Sequence, residues 1–198
     1  MGGNMDDLQE CAIAYSRLLD FGYRIIIGRK RNQKEITLRF DSSEFHHLMG
    51  LHYLEDLDYF MKTSKTKIFS DIVEGKKCLL DVQKSYHYKR IEDRIKEFSK
   101  IVPTIFDVNK IVFRFINPTY FGSSIKAEYL IKYTSHTGVK SFLFLDKDTE
   151  NSQFHFFKSF FVFDFRDYSE NQSSYIVVYI EKINLKTQET EIILNKIR

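Results

Sequence analysis

The chain has 198 residues, 43% of them hydrophobic, with nineteen Phe, twelve Tyr and no Trp. This composition excludes an intrinsically disordered protein and suffices for one core, so we expect a single domain over residues 1–198. The longest apolar runs are of strand length, which excludes a membrane-spanning helix of about 20 apolar residues. The net charge of +3 is too small by itself to indicate a polyanionic partner.

Neither the first residues nor the cysteines indicate secretion. The start "MGGNMDD" lacks the basic and apolar regions of a secretory signal and has Asp6 where a myristoylation motif requires Ser or Thr. Cys11 and Cys78 follow no C-x-x-C spacing, which argues against a disulfide framework and against a zinc site. We therefore expect a cytoplasmic protein with no metal ion and no other cofactor.

The basic residues form two blocks on either side of an acidic segment. Residues 22–40 hold six basic residues and one acid, 41–61 hold five acids and no base, and 62–100 hold eleven basic residues and six acids. Lys and Arg clusters attract the phosphates of nucleic acids. The candidate RNA-binding residues taken from the two blocks are Arg29, Lys30, Arg31, Lys89 and Arg90.

The first hundred residues have mainly helical periodicity. The stretch "DDLQECAIAYSRLLDFG" predicts an amphipathic helix, and "YRIIIGRK" with "KEITLRF" predicts a β-hairpin over 23–40 with a basic tip. In "YKRIEDRIKEFSKIV" the apolar residues form one helical stripe, whereas basic residues such as Arg94 lie largely off it. Pro103 ends this helix. The stripe consists of Ile91, Ile95, Phe98 and Val102.

From residue 108 onward, apolar runs of strand length alternate with short turn sequences, which predicts an antiparallel meander. In runs such as "FLFL" neither face is polar, so we expect strands that are buried on both sides. The predicted fold class is α+β. A mainly helical part over 1–105, with the small hairpin, would pack on a C-terminal antiparallel sheet over 108–198.

The segment "EFHHLMGLHYLEDL", residues 44–57, holds three of the six histidines. Asp41 or Ser42 can cap a helix over roughly 42–55. On a helical wheel His52 points into the apolar arc, so it should be more buried than His46, which lies nearly opposite. His47 lies at the border of the two faces, where an imidazole can be partly desolvated and still reachable for acid–base chemistry.

Other interpretations of this segment remain open. A histidine-rich surface helix without chemistry has the same composition. A metal site is disfavoured, because histidines at i, i+1 and i+6 do not match the spacing of zinc-binding helices. Gly50, one turn beyond His46 and His47, would leave room for a substrate.

At these residues the sequence resembles a known family. "ITLRFDSSEFHHLMGLHYLEDL" resembles the F-x-H-L-x-G signature of a phage-associated branch, usually numbered fourth, of the barnase, EndoU, colicin and RelE group of RNA-cleaving toxins. "KSFFVF" at 158–163 resembles the late S-F-F element of that branch, and the whole resemblance covers roughly 22–180. The positions that match are Phe45, His47, Leu48, Gly50 and Ser159.

The resemblance implies a metal-independent endoribonuclease, a phage- or prophage-linked toxin that cleaves RNA through attack of the ribose 2′-hydroxyl. Its expected partners are RNA and an antitoxin or immunity protein. His47, with His46 as a second candidate, would transfer protons. Ser159 would donate a hydrogen bond to a phosphate oxygen. The charge distribution, and not the resemblance, adds Arg39 as a residue that would clamp a phosphate. A strand-end arginine and a serine within a sheet also fit structural roles.

A different class of function remains open from the sequence. A non-catalytic domain of the same fold could bind RNA or a protein partner through the two basic blocks. An ordinary metabolic enzyme lacks support, since no G-x-G-x-x-G, Walker A or G-x-S-x-G motif is present.

Overall fold

The computed structural model describes residues 5–106, 111–116, 125–135, 137–149, 151, 153–162 and 166–197. No helix in these ranges is long and apolar enough to cross a membrane. The chain divides into two compact units. The helical unit comprises Met1–Leu19 and Asp41–Thr104, and the sheet unit comprises Asp20–Phe40 and Ile105–Arg198. The expectation of one folding domain stays a prediction.

The helical unit contains six α-helices within the described residues. They are α1 (Asp7–Ser16), α2 (Glu44–Leu48), α3 (Asp58–Lys62), α4 (Lys65–Val73), α5 (Leu79–Val82) and α6 (Glu92–Ile101), with short 3₁₀ helices at Leu51–Tyr53, Tyr88–Arg90 and Val102–Thr104. The predicted first helix is confirmed, and the Asp6 carboxylate caps it by accepting the Gln9 N–H at 2.9 Å.

Aromatic rings from four segments form the centre of this unit. The Tyr15 ring on α1 lies 5.8 Å from Phe45 on α2, 6.0 Å from Phe69 on α4 and 6.2 Å from Phe98 on α6. Such tilted and edge-to-face contacts add to the free energy gained by burial. The Tyr15 hydroxyl also donates to Glu44 Oε2 at 2.7 Å, which ties the start of α2 to α1.

The apolar stripe predicted for α6 is confirmed, because each of its four residues is buried. The placement of Arg94 largely outside the buried surface is wrong. Arg94 is only 6% exposed and donates from Nη1 to the Leu48 carbonyl oxygen at 3.4 Å. A helical wheel places a side chain by its angle alone, whereas a long arginine can bend along the apolar surface toward a carbonyl acceptor.

The sheet unit contains eight strands within the described residues. They are β1 (Phe21–Arg29), β2 (Asn32–Leu38), β3 (Ile111–Arg114), β4 (Tyr129–Thr134), β5 (Lys140–Lys147), β6 (Phe154–Val162), β7 (Ser173–Asn184) and β8 (Thr190–Asn195). The order is β1-β2-β6-β5-β4-β3-β7-β8, and β1 also pairs with β7, so that the pairings of the first seven strands close into a ring.

The α+β class holds, but the predicted arrangement of helices on a C-terminal antiparallel sheet is wrong. The predicted hairpin is part of the large sheet, since β1 pairs with β7 from Phe21↔Asn184 to Gly28↔Ile176. The sheet is mixed, because β2 runs parallel to β6 at Thr37↔Phe154 and Leu38↔His155. An isolated hairpin would leave the outer edges of β1 and β2 unpaired, and these long-range partners satisfy them.

Strand β5 confirms the predicted burial on both faces. Every residue from Phe142 to Leu145 is at most 3% exposed. On one face Phe142 and Phe144 pack against Tyr168, with ring centroids 5.3 and 5.4 Å apart. A side chain from the segment after β6 therefore covers the face that a two-layer antiparallel sheet would leave to solvent.

Candidate active site

The histidine segment folds as two short helical pieces joined by a left-handed glycine. Helix α2 begins with an Asx turn, in which the Ser43 N–H donates to Asp41 Oδ1 at 2.8 Å. It ends at Leu48, and the Gly50 N–H donates to the His47 carbonyl at 3.0 Å. Gly50 has a φ of 74°, and the chain continues as the 3₁₀ helix Leu51–Tyr53. The single helix predicted over 42–55 is therefore wrong in its second half.

The order of burial among the three histidines differs from the prediction. His46 is 5% exposed, His47 is exposed and His52 is intermediate, so the prediction that His52 is more buried than His46 is wrong. The helical wheel assumes a rotation of 100° per residue through Gly50, but the backbone is not helical at this residue. The predicted direction of His52 is therefore wrong. Among the three histidines, His47 is the one that solvent reaches most.

His46 connects α2 to α3. Its Nε2–H donates to the Phe60 carbonyl oxygen at 3.1 Å. Burial lowers the pKa of His46, the bond to Phe60 opposes this shift, and the charge of Lys65 adds to it. The imidazole is thus neutral in its buried position, and a catalytic role for His46 stays a prediction.

Three aromatic side chains form a stack that begins with His47. The His47 and His52 rings lie 4.3 Å apart at an interplanar angle of 14°, and the His52 and Tyr53 rings lie 4.0 Å apart at 42°. Burial, followed by the charges of His47 and Arg94, lowers the pKa of His52 to about 3. His52 therefore presents a neutral flat surface to His47 at physiological pH.

Two arginines contact the other end of the stack. The guanidinium carbon of Arg90 lies 4.2 Å from the centroid of the Tyr53 ring, and that of Arg94 lies 5.4 Å from it. Arg90 is exposed and makes no ion pair with any described carboxylate. The stack thus joins an exposed imidazole to an exposed guanidinium, two groups that can serve proton transfer and phosphate binding.

Gly50 lets the stack and Arg94 approach the turn. A Cβ atom at this position would lie 2.8 Å from Ile91 Cγ2, 3.2 Å from Arg94 Nη1 and 3.2 Å from Tyr53 Cδ2. The positive φ and the crowded space both require glycine here. The prediction that Gly50 leaves room for a substrate is wrong, because side chains pack closely around this position.

The predicted RNA-binding residues fall in both units. In the helical unit, Lys89 is exposed and pairs with Glu92 at 2.7 Å. In the sheet unit, Arg29, Lys30 and Arg31 form the tip of the β1–β2 hairpin and make no ion pair within the described residues. Lys30 and Arg31 have φ values of 46° and 69°, a left-handed turn that Asn and Gly usually occupy.

Arg39 and Ser159 both lie in the sheet unit. Arg39 is exposed, and its guanidinium carbon lies 3.7 Å from the centroid of the Phe154 ring. Ser159 is 7% exposed and pairs across the sheet with Phe144, beside a β-bulge that leaves Lys158 opposite no residue of β5. Their assignment as catalytic residues stays a prediction.

Three contributors to the stack were not predicted from the sequence. His52 was assigned to the core, Tyr53 received no role, and Arg94 was placed off the buried stripe. The position of Tyr53, three residues after Gly50, could have indicated that its ring lies near the turn. This inference would have required knowing that the helix ends at the glycine. Within the described ranges, no group of three His, Cys, Asp or Glu side chains could hold a metal ion.

The α+β fold and the stack, with an exposed imidazole at one end and guanidinium groups at the other, fit the class of proteins that act on phosphodiesters. The family described as "phage-Barnase-EndoU-ColicinE5/D-RelE like nuclease4" matches residues 7–196. The chain belongs to this family, which confirms the resemblance to it and identifies a nuclease-type protein. No curated protein and no solved structure matches the chain.

The lowered pKa of His52 predicts a pH-dependent stability. Folding keeps His52 neutral down to about pH 3, whereas the unfolded chain protonates it near 6.5. The folded state therefore loses stability as the pH falls below about 6.5. We expect the melting temperature to decrease less between about pH 7 and about pH 5 in His52→Phe than in the wild type. This variant retains a flat ring in the stack.

Circular dichroism melts of both proteins at the two pH values measure this effect. The loss should not vanish, because burial also lowers the pKa of His155 to about 4. An equal loss in wild type and His52→Phe would contradict the prediction.

Proposed function

We propose that this protein is a metal-independent endoribonuclease, a phage- or prophage-linked toxin that cleaves RNA through attack of the 2′-hydroxyl on the adjacent phosphate. The observation that carries the proposal is the stack of exposed His47 on neutral His52, with Arg90 and Arg94 at its Tyr53 end. Membership of a nuclease family supports the class of reaction. RNA and an antitoxin or immunity protein are the proposed partners, and the cytoplasm is the proposed location.

The reaction requires one proton acceptor, one proton donor and positive charge. A base takes the proton of the 2′-hydroxyl as that oxygen attacks phosphorus, and the 5′-oxygen leaves with a proton, giving a 2′,3′-cyclic phosphate and a 5′-hydroxyl. His47 is exposed and can perform one of these transfers. Its contact with a neutral ring avoids the repulsion that a second imidazolium would exert on the protonated His47.

Arg90 would supply charge to the phosphorane. Arg90 is exposed, its guanidinium carbon lies 4.2 Å from the centroid of the Tyr53 ring, and guanidinium N–H groups can donate to phosphate oxygens. Such charge stabilisation is commonly a large contribution to phosphoryl-group chemistry.

The proposal is tested by incubating the purified protein with total RNA and with tRNA in EDTA. We expect cleavage products that carry cyclic-phosphate ends, detected by end-specific ligation and by mass spectrometry. Cleavage that depends wholly on an added divalent metal would contradict the mechanism. Binding of RNA without cleavage of any RNA would favour the non-catalytic alternative, which the ion-pair-free tip at Arg29, Lys30 and Arg31 also fits.

We predict that Arg90→Gln lowers kcat/KM for RNA cleavage by about 10-fold to 100-fold, because it removes a charge from the transition state. Arg90→Lys should recover part of this loss, since a lysine retains the charge but not the planar fork. The matched control is Lys89→Gln, which removes a neighbouring exposed charge that Glu92 already pairs. Equal losses in Arg90→Gln and Lys89→Gln would show that Arg90 acts only through general attraction.

A further inference from the structure

Four strands of the sheet unit bring four ionisable side chains to one level of the sheet. Arg114 ends β3, Glu128 directly precedes β4, Lys147 ends β5 and His155 lies near the start of β6. The register aligns them, since Arg114 pairs with Tyr129 and Lys147 pairs with His155. We refer to Arg114, Glu128, Lys147 and His155 as the Glu128 cluster.

The Glu128 carboxylate is the centre of this cluster. Its Oε1 lies 2.5 Å from Arg114 Nη1, and its Oε2 lies 3.1 Å from His155 Nε2 and 3.7 Å from Lys147 Nζ. Arg114 also donates to the Glu128 carbonyl oxygen at 3.2 Å, and its guanidinium carbon lies 5.2 Å from the centroid of the Tyr129 ring. The carboxylate and Arg114 are therefore held in one orientation.

Exposure increases from the base of the cluster to its rim. The side chain of His155 is 5% exposed, that of Glu128 19%, that of Arg114 36% and that of Lys147 51%. Burial, followed by the charge of Lys147, lowers the pKa of His155 to about 4, so the imidazole is neutral and donates its Nε2–H to Glu128. Two cations then face one carboxylate, and the nearby Asp146 is paired with Lys158.

This arrangement selects among ligands. The excess positive charge at the rim attracts an anion, while the carboxylate repels an anion that brings no hydrogen-bond donor. A carboxylate offers about four lone-pair positions. Within hydrogen-bond distance, Arg114 donates to one lone pair of Oε1 and His155 donates to one lone pair of Oε2. The cluster therefore suits a ligand that carries an anionic group next to a hydroxyl donor.

The RNA backbone presents this pair of groups in every nucleotide, and DNA lacks the hydroxyl. We propose that the Glu128 cluster is a ribose-phosphate subsite that distinguishes RNA from DNA. Arg114 and Lys147 contact a backbone phosphate, Glu128 accepts a hydrogen bond from the neighbouring 2′-hydroxyl, and His155 positions the carboxylate. The inference rests on the proposed action on RNA and extends it to recognition of the sugar.

The test measures dissociation constants by fluorescence anisotropy for single strands of one sequence, made as RNA, DNA and 2′-O-methyl RNA. Because the proposed cleavage needs no metal ion, measurements are brief and made in the cold, and gels verify that each strand is intact. We expect wild type to bind RNA about 10-fold to 100-fold more tightly than DNA, as for loss of a hydrogen bond to a charged group. The 2′-O-methyl strand, which cannot donate, should bind like DNA.

Glu128→Ala should largely abolish this preference, mainly by strengthening the binding of DNA, because the repulsive carboxylate is gone. Glu128→Gln keeps an acceptor oxygen without the charge and should give an intermediate ratio, which provides a second variant of similar size. The matched control is Glu35→Ala, which removes a carboxylate paired with Arg24 at 2.9 Å on the same unit. It should strengthen RNA and DNA binding alike and leave the ratio unchanged.

The outcomes separate this inference from the proposed function. Wild type that cleaves RNA while Glu128→Ala keeps the full RNA preference would overturn the subsite and leave the nuclease proposal standing. A 2′-O-methyl strand that binds as tightly as RNA would overturn it too, since strand shape and not the hydroxyl would then be recognised. Wild type that neither binds nor cleaves RNA would remove both proposals.

Discussion

His47→Ala is expected to lower kcat/KM for RNA cleavage by about 10²-fold to 10⁴-fold, the usual range for a lost general acid or base. His47 is the exposed histidine of the F-x-H-L-x-G element, and its ring lies on the neutral ring of His52. The fold should persist, because an exposed side chain fills little of the core. Initial rates on a fluorogenic RNA substrate in EDTA, together with a circular dichroism melt, measure both effects.

The other members of the stack provide the controls. His52→Phe retains a ring beneath His47 and should keep cleavage within a few-fold of wild type, whereas His52→Ala should mainly lower the melting temperature by removing ring contacts with His47 and Tyr53. Cleavage by His47→Ala at the wild-type rate would exclude His47 as the proton-transfer residue. A loss in His47→Ala accompanied by unfolding would shift the test to His47→Gln, which retains a polar side chain.

Local periodicity predicted those elements whose burial depends on neighbours in the sequence. The buried stripe on α6 and the apolar strand β5 are both present. The periodicity of a helix or a strand determines directly which side chains face the same side and become buried. The class of fold follows from the order of such elements, and it holds.

Partners distant in sequence were not predictable in the same way. The parallel pairing of β2 with β6 joins Leu38 to His155, and no short pattern reports such a contact. Most residues of strand β8 are exposed, so that it lacks a clear buried face. The Glu128 cluster could not be predicted for the same reason. Its members belong to or adjoin four separate strands, and only the register between those strands places them next to one another.

The histidine segment shows where a local rule stops applying. The sequence "FHHLMGLH" fits a helical wheel throughout, and a glycine inside such a pattern permits both a continued helix and a C-terminal cap. The structure takes the cap, with Gly50 at a φ of 74°. After this cap the His52 ring lies against the exposed His47 ring, and the catalytic role of His47 stays a prediction.

Gly50→Ala is expected to lower the free energy of unfolding by about 2–5 kcal/mol. A left-handed backbone costs an alanine about 1–2 kcal/mol. The added methyl group would also lie 2.8 Å from Ile91 Cγ2 and 3.2 Å from Arg94 Nη1, and overpacking of this kind costs about 1–3 kcal/mol. Because Tyr53 is the third neighbour of that methyl group, the stack should move and RNA cleavage should fall with stability.

Gly75→Ala separates the two costs within the same unit. Gly75 has a φ of 72°, close to that of Gly50, but the three atoms nearest to its added methyl group all belong to the side-chain amide of Gln9, the closest at 3.1 Å. Urea unfolding should therefore show a loss of about 1–2 kcal/mol for Gly75→Ala, the backbone cost alone. If Gly50→Ala lost no more than Gly75→Ala and kept full cleavage, Gly50 would be needed only for its backbone conformation, and close packing of Ile91, Arg94 and Tyr53 around it would not support the site.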